Sequence, residues 1–316
     1  MKFWKKQRKS ALTGREPGGL PAAALSAAAW GAEIEGFLRE REAFCVNAIS
    51  RFYSGIINEV WAAKMPCPDA AKPENNVRGL LLYGKGLLFP VFHFSPAMTE
   101  KFLLEDMPLP SFFPSVLKSG PLHCAQGLAG DMDMLETALG KKGIFPSSRY
   151  DYELRSLDYS RVSFLKTPWG MDGPPGLVIR KAETSDADGL FPLQAGYEQE
   201  EVLPRGAEFN PGLCRRGLEY LLAGNLVLAA ELDGRLTGKI NINAQSLNFF
   251  QIGGVYVLPE YRGLGIAKAM TAALIREFAL IKSRYSLFVK KANAPALRVY
   301  ESLGFKKNGD YRISYF

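Results

Sequence analysis

Residues 253 to 267 read Gly-Gly-Val-Tyr-Val-Leu-Pro-Glu-Tyr-Arg-Gly-Leu-Gly-Ile-Ala, an order of residue types suited to capturing an anion. A strand ending near Val257 is closed by Pro259, and Arg262-Gly263-Leu264-Gly265-Ile266-Ala267 then opens a helix. The first turn of a helix has N–H groups without intrahelical partners and carries the positive end of the dipole. Gly263 and Gly265 let main chain approach a phosphate closely, Arg262 adds a permanent charge, and the small Ala267 keeps the next turn open. Glycines at a strand–helix turn also serve ordinary turn geometry, so this segment needs context.

That context lies downstream. Asn293-Ala-Pro-Ala-Leu-Arg-Val-Tyr300-Glu-Ser-Leu-Gly-Phe305 follows a further strand, Tyr285 to Val289, and places a phenol on a short helix. Tyr300 shares helical spacing with Ala296, Val299 and Leu303, so a core role competes with a chemical one. Two acidic residues, Glu200 and Glu201, lie in the run Glu198-Gln-Glu-Glu201. They could bind or deprotonate an amine, or form a solvated helix face. The strand Phe249-Phe-Gln-Ile-Gly-Gly carries Gln251 and no carboxylate. His93 and His123 have no second His or Cys at ligand spacing, and no metal site is expected. Cys214 sits in a helix with no histidine in its half of the chain, which argues against a thiol nucleophile.

The elements that must position these groups follow from periodicity and punctuation. Strands are expected at Leu177–Arg180, Asn225–Glu231, Thr237–Asn243, Phe249–Val257 and Tyr285–Val289, with further strands at Phe305–Lys307 and Tyr311–Tyr315. Helices are expected from Glu183 to Leu193, Pro211 to Ala223, Gly265 to Ile281 and Pro295 to Leu303. Asp233-Gly234 reads as a hairpin turn. The first half is less regular: a helical pattern from Pro21 to about Tyr53, two apolar runs between Val77 and Phe94 joined at Gly84-Lys85-Gly86, a helix over Asp131–Leu139, and alternation from Tyr150 to Lys166. Thr167-Pro-Trp-Gly-Met-Asp-Gly-Pro-Pro-Gly176 has six Gly or Pro among its ten residues and reads as a linker.

Composition narrows the function classes. A chain of 316 residues with 47% hydrophobic content supports two folded domains. The net charge of +7 leans on Lys2, Lys5, Lys6, Arg8 and Lys9. No basic stripe with interleaved aromatics follows, so the start reads as a basic tail and nucleic acid is not an expected partner. The run from Leu20 to Ala29 is a faint secretory pattern, but it passes straight into charged helix-forming sequence. No stretch reaches the roughly 18–20 apolar residues of a membrane span. Cys45, Cys67, Cys124 and Cys214 are scattered without a CxxC pair, as in a reducing, cytoplasmic compartment.

Taken together, the 253–267 and 293–305 segments resemble the GNAT superfamily of acyl-CoA-dependent N-acetyltransferases, and the element order from Leu177 to Phe316 is similar to that fold. The linker, the Gly-Gly-Val-Tyr-Val-x-Pro strand and the Glu200-Glu201-Val run resemble a two-domain subgroup with an extra N-terminal domain. The implied class is α/β (α+β): a C-terminal mixed, mostly antiparallel sheet flanked by helices, plus an N-terminal α+β domain open to reading as a degenerate GNAT-like domain. The expected domains are a basic tail at 1–20, the N-terminal domain at 21–166, a linker at 167–176 and the acetyltransferase domain at 177–316. The N-terminal half lacks an Arg-x-x-Gly-x-Gly/Ala turn and is expected to hold no acyl-CoA.

The resemblance implies acetyl-CoA, or another acyl-CoA, as co-substrate. Main chain of Val255, Tyr256 and Val257 would pair with pantetheine, and the amides of Arg262, Gly263, Leu264, Gly265, Ile266 and Ala267 would hold the diphosphate. Asn293 would touch pantetheine or fix its loop, and Tyr300 would act as general acid to the thiolate. The implied reaction is direct attack by a primary amine, from a small molecule or peptide, with Glu200, Glu201 or water taking the proton. Lys290-Lys291 departs from the subgroup pattern and could meet CoA phosphates, an acidic substrate or solvent. A non-catalytic acyl-CoA-binding sensor is the competing reading, and exposed strand edges could pair copies into a homodimer.

Overall fold

A computed structural model describes residues 4–7, 32–64, 77–93, 121–161, 173–224 and 226–316. They divide into a first unit, residues 1–153 with 308–316, and a second unit, residues 154–307. The Leu20–Ala29 run lies outside the described residues, as do Cys67 and most of the 167–176 linker.

In the first unit, β1 (Trp4–Gln7) pairs antiparallel with β2 (Glu59–Lys64). Residues 4–7, read as part of a basic tail, are thus a strand. The meander continues through β3 (Val77–Gly84) and β4 (Leu87–Phe92), joined by the expected hairpin. Lys85 and Gly86 both have positive φ (50° and 77°), as a two-residue turn matching strand twist requires. β5 (Cys124–Leu128) runs parallel to β4, but only through Leu87↔Cys124 and Leu88↔Ala125. Pro90, with no N–H to donate, stands just beyond the last paired register. From Leu80 to Tyr83 β3 is continuously apolar and buried, because it is covered on both faces. Leu80 and Leu82 face α1 (Ala32–Glu40) and α2 (Val46–Tyr53), whereas Leu81 and Tyr83 face α3 (Ala129–Gly140).

In the second unit, β7 (Leu177–Lys181), β8 (Val227–Leu232), β9 (Arg235–Gln245) and β10 (Phe249–Val257) form an antiparallel series. β11 (Arg284–Lys290) pairs parallel to β10. One face carries α4 (Ala187–Tyr197) and α5 (Pro211–Ala223), whose Leu190, Leu193, Leu218 and Leu222 cover Val227, Ala229 and Tyr256. The opposite face carries α6 (Ile266–Phe278), with Met270, Leu274 and Phe278 on Ile240, Ile242, Phe250 and Leu287. Tyr300 and Leu303, from α7 (Ala294–Ser302) and just past its end, join that second cluster.

The two units repeat one pattern: β1-β2-β3-β4 antiparallel with β5 parallel to β4, and β7-β8-β9-β10 antiparallel with β11 parallel to β10. β6 (Ser148–Asp158) is divided between them. The two short strands expected after Gly304 are a single strand, β12 (Lys306–Tyr315). Its Tyr311–Tyr315 segment pairs antiparallel with β5, and residues 308–316 group with the first unit.

One contact fixes α6 to the sheet. Tyr285 on β11 is fully buried, and its hydroxyl donates to the Ile275 carbonyl at 2.9 Å. Tyr285→Phe should lower stability by about 1 kcal/mol, read as a lower urea midpoint with the circular dichroism spectrum unchanged.

Candidate functional site

The register between β9 and β10 advances from Gly253↔Asn241 to Tyr256↔Lys239, three residues on β10 against two on β9. This bulge needs Gly254: its φ is +58°, and a Cβ there would lie 1.7 Å from Asn241 Oδ1. The parallel ladder to β11 ends nearby, at Ile252↔Leu287. Beyond that register, β11 does not pair with main chain of Val255, Tyr256 and Val257. An added extended chain could bond there.

β10 leads into a tight turn over Pro259–Tyr261 and then into α6. Gly263 and Gly265 both have φ +82°, and a Cβ on either would meet nothing within 4 Å. The α6 N-terminus therefore faces open space, with Gly265 in the cap position. Leu264 is exposed and Ile266 buried, so the turn is anchored on one side only. Arg262 folds back over its own turn: Nε donates to the Val257 carbonyl at 3.0 Å, and its guanidinium lies over the Tyr256 ring.

The acidic run closes against the same turn. Residues Glu198–Val202 form a wide π-type turn after α4. Glu200 accepts from Tyr256 Oη at 2.6 Å and from Arg262 Nη2 at 2.8 Å. The Tyr256 hydrogen bond, with Arg262 and Lys290 adding their charge, holds the Glu200 carboxyl below the usual carboxylate range. Lys290 Nζ reaches both the Glu200 carbonyl and Glu201 Oε2 at 3.0 Å. Gly196 makes the fit possible, since a Cβ there would stand 2.5 Å from Tyr256 Oη.

Asn293 caps α7, accepting from the Ala296 N–H at 3.1 Å, so its side chain fixes the loop before the helix. Tyr300 on that helix is 6% exposed. Burial pushes its phenol upward, and nearby Tyr197 and Glu201 push the same way, so it keeps its proton through the neutral range. Cys214 is buried and pushed up to about 12 by that burial, an inert thiol. Among the described residues no group of three or more His, Cys, Asp or Glu could hold a metal ion, and no helix is long and apolar enough to cross a membrane.

Sequence reasoning missed a polar ladder behind the bulge. Lys239 is fully buried, donating to Asn241 Oδ1 at 2.9 Å and to the Gly254 carbonyl at 3.0 Å. Asn241 Nδ2 donates onward to Asn243 Oδ1 at 2.6 Å. Burial brings the Lys239 amine down to about 7, against the opposing pull of Glu198 and Cys214. The available signal was Lys-Ile-Asn-Ile-Asn at 239–243, polar groups on one face of a strand whose other face is core. On the neighbouring parallel pair, Gln251 Oε1 and Ser286 Oγ face each other in register, buried and without hydrogen-bond partners among the described residues.

The model of the acetyltransferase (GNAT) family matches residues 196–305. The second unit carries a GNAT domain. A mycothiol acetyltransferase from Thermomonospora curvata is 30% identical over 141 residues, covering 42% of this chain and 46% of that protein. The chain spans less than half the length of the curated relatives it matches. A GCN5-related N-acetyltransferase structure from Sphaerobacter thermophilus superimposes with TM-score 0.54 at 16% identity, over 99% of this chain and 95% of that one. A tandem GNAT protein from the clavulanic acid biosynthesis pathway gives 0.52 at 14%, over 90% and 95%. At these identities the two structures speak for the fold alone, a GNAT-like architecture in two units. The GNAT domain holds the bulge, the α6 turn, the acidic run and α7 within one match.

Tyr256→Phe removes the main support of the low Glu200 pKa, so the carboxyl should titrate closer to the ordinary range in a carbon-13 NMR titration. In the wild type the Tyr256–Glu200–Arg262 tie is present above the ordinary carboxylate pKa and is lost as pH falls through the lowered one. In the variant that loss should begin at higher pH.

Proposed function

We propose that this protein is an N-acyltransferase whose GNAT domain binds acetyl-CoA, or another acyl-CoA, and passes the acyl group to a primary amine. The observation that carries this reading is the parting of β10 from β11 at the Gly254 bulge, directly before the open N-terminal turn of α6. Main chain of Val255, Tyr256 and Val257 would bond the pantetheine arm as an added strand. The amides from Arg262 to Ala267 would hold the diphosphate at the positive end of α6. The cradle fits a phosphate, because neither glycine carries a side chain into that space.

The amine nitrogen attacks the thioester carbon; the C–N bond forms, the C–S bond breaks, and the thiolate leaves beside Tyr300. A thiol of ordinary pKa near about 8.5 leaves as an anion, and the Tyr300 hydroxyl donates to it as general acid and regains a proton from solvent before the next turnover. Glu200, clamped by Tyr256 and Arg262, suits electrostatic attraction of a cationic amine better than proton removal. Glu201, or water beside it, takes the ammonium proton. Holding donor and amine side by side supplies the proximity term.

The acceptor is a small-molecule or peptide amine; the curated relatives are named for mycothiol, which makes a small thiol-bearing metabolite the first class to try. Free thiols at Cys45, Cys124 and Cys214 suit a reducing cytoplasm. A second reading, a non-catalytic acyl-CoA sensor, is favoured by one observation: β10 presents Gln251 and no carboxylate beside the bulge.

Thiol release from acetyl-CoA, measured against amino sugars, cysteine-bearing amines, polyamines and peptide N-termini, separates the two. Turnover with one class, reduced about 100-fold in Tyr300→Phe with donor affinity retained, supports the enzyme. Binding without turnover supports the sensor, and no calorimetric heat with coenzyme A sinks both. Gly265→Ala forces a side chain into the left-handed region at a cost of about 1–2 kcal/mol. Where the free variant relaxes that turn, binding must restore it, and coenzyme A affinity should fall by up to about 5- to 30-fold by calorimetry.

A further inference from the structure

We propose that Lys239 is a positioning residue for acyl transfer: its buried ammonium grips the Gly254 carbonyl and so sharpens the Val255 N–H as a donor to the thioester oxygen. This rests on the acyl-transfer reading and adds a residue to it.

The geometry runs through one peptide unit. Gly254 C=O and Val255 N–H belong to the same planar group and, in a trans peptide, point in opposite directions. Lys239 lies on β9 and takes the carbonyl at 3.0 Å. The N–H is thereby directed away from the Lys239 amine, which lies on the α4 face, at a register where β11 no longer pairs with β10. A hydrogen bond at one end of a peptide polarises the other, strengthening it by roughly 10–30%. A cation at 3.0 Å exceeds a neutral donor in that effect.

A bulge carbonyl does not need a lysine for satisfaction. Asn241 and Asn243 on the same strand show that a neutral amide can serve the ladder. A fully buried ammonium is costly, and here it is held against the Gly254 carbonyl and Asn241 Oδ1. The fit is tight: a Cβ on Gly254 would come within 2.7 Å of Lys239 Nζ.

The groups around the amine are few. Tyr197 of α4 lies beneath it with its ring at 5.3 Å, and the Tyr197 hydroxyl is bonded to Asn243 and to the Gly254 N–H. Glu198 faces it from the following turn and Cys214 from α5, the former engaged by Gln194 at 2.8 Å. Tyr256, its cross-strand partner, spends its hydroxyl on Glu200. With Cys214 neutral, Glu198 and Lys239 are the charges that set the local field. The ammonium form is present below about 7 and is lost above it, so the polarisation should follow the same course.

Isotope-edited infrared spectroscopy of carbonyl-labelled acetyl-CoA bound to the full chain tests this without an acceptor. In the wild type below about pH 7 the thioester carbonyl stretch should lie below that of free acetyl-CoA, and the displacement should shrink as pH rises through that value. In Lys239→Met, a neutral side chain of similar length, the displacement should be reduced and independent of pH, with calorimetric affinity for coenzyme A retained. Equal, pH-independent spectra in both proteins would overturn the role of Lys239 and leave the acyl-transfer reading standing. If Lys239→Met does not fold, the wild-type pH series decides alone. Absence of coenzyme A binding to the wild type would overturn the acyl-transfer reading itself.

Discussion

The bulge at Gly254 adds one residue to β10 against β9, and the geometry of the GNAT domain follows from that addition. It requires the left-handed conformation that only glycine adopts cheaply, and it reverses the usual alternation along the strand. Main chain that would have paired with β11 is left to face a gap. The α6 turn opens a few residues later, so the proposed ligand path along the gap would end at the helix dipole. Beneath the sheet, Lys239 donates to the carbonyl at that bulge.

Electrostatics around this frame are arranged in two layers. Outside, Arg262 and Lys290 tie the Glu198–Val202 turn to the ends of β10 and β11 through Glu200 and Glu201. These are partly exposed pairs, and each alone contributes little. Their effect is geometric, holding the acidic turn over the strand gap. Inside, Lys239 and Asn241 are buried, the ladder reaching solvent at Asn243, and their effects are correspondingly stronger.

How much of this could be read from residue order depends on the scale of the signal. The α6 turn, the α7 cap at Asn293 and the buried phenol at Tyr300 are local, with helix signals and glycines at short spacing, and they were readable. The placement of the acidic run after α4 was readable too. The roles of its members were not, because Glu200 meets Tyr256 and Arg262 from positions more than fifty residues away. Lys239 escaped notice because a lysine in a strand ordinarily marks a solvated face, whereas here α4 and α5 cover that face and Tyr197 lies against the amine. The doubled strand pattern was hidden in the first unit, where both-sided burial erased the alternation of β3.

The placement of β12 bears on how the chain reaches its native state. Its Tyr311–Tyr315 segment completes the sheet of the first unit, yet it is translated after the whole second unit. Vectorial synthesis ordinarily lets an N-terminal domain settle before its successor emerges. Here the earlier module must wait with one flank of β5 unsatisfied until the ribosome has delivered the remainder. Severing the polypeptide between the two units would strip the earlier module of its closing segment.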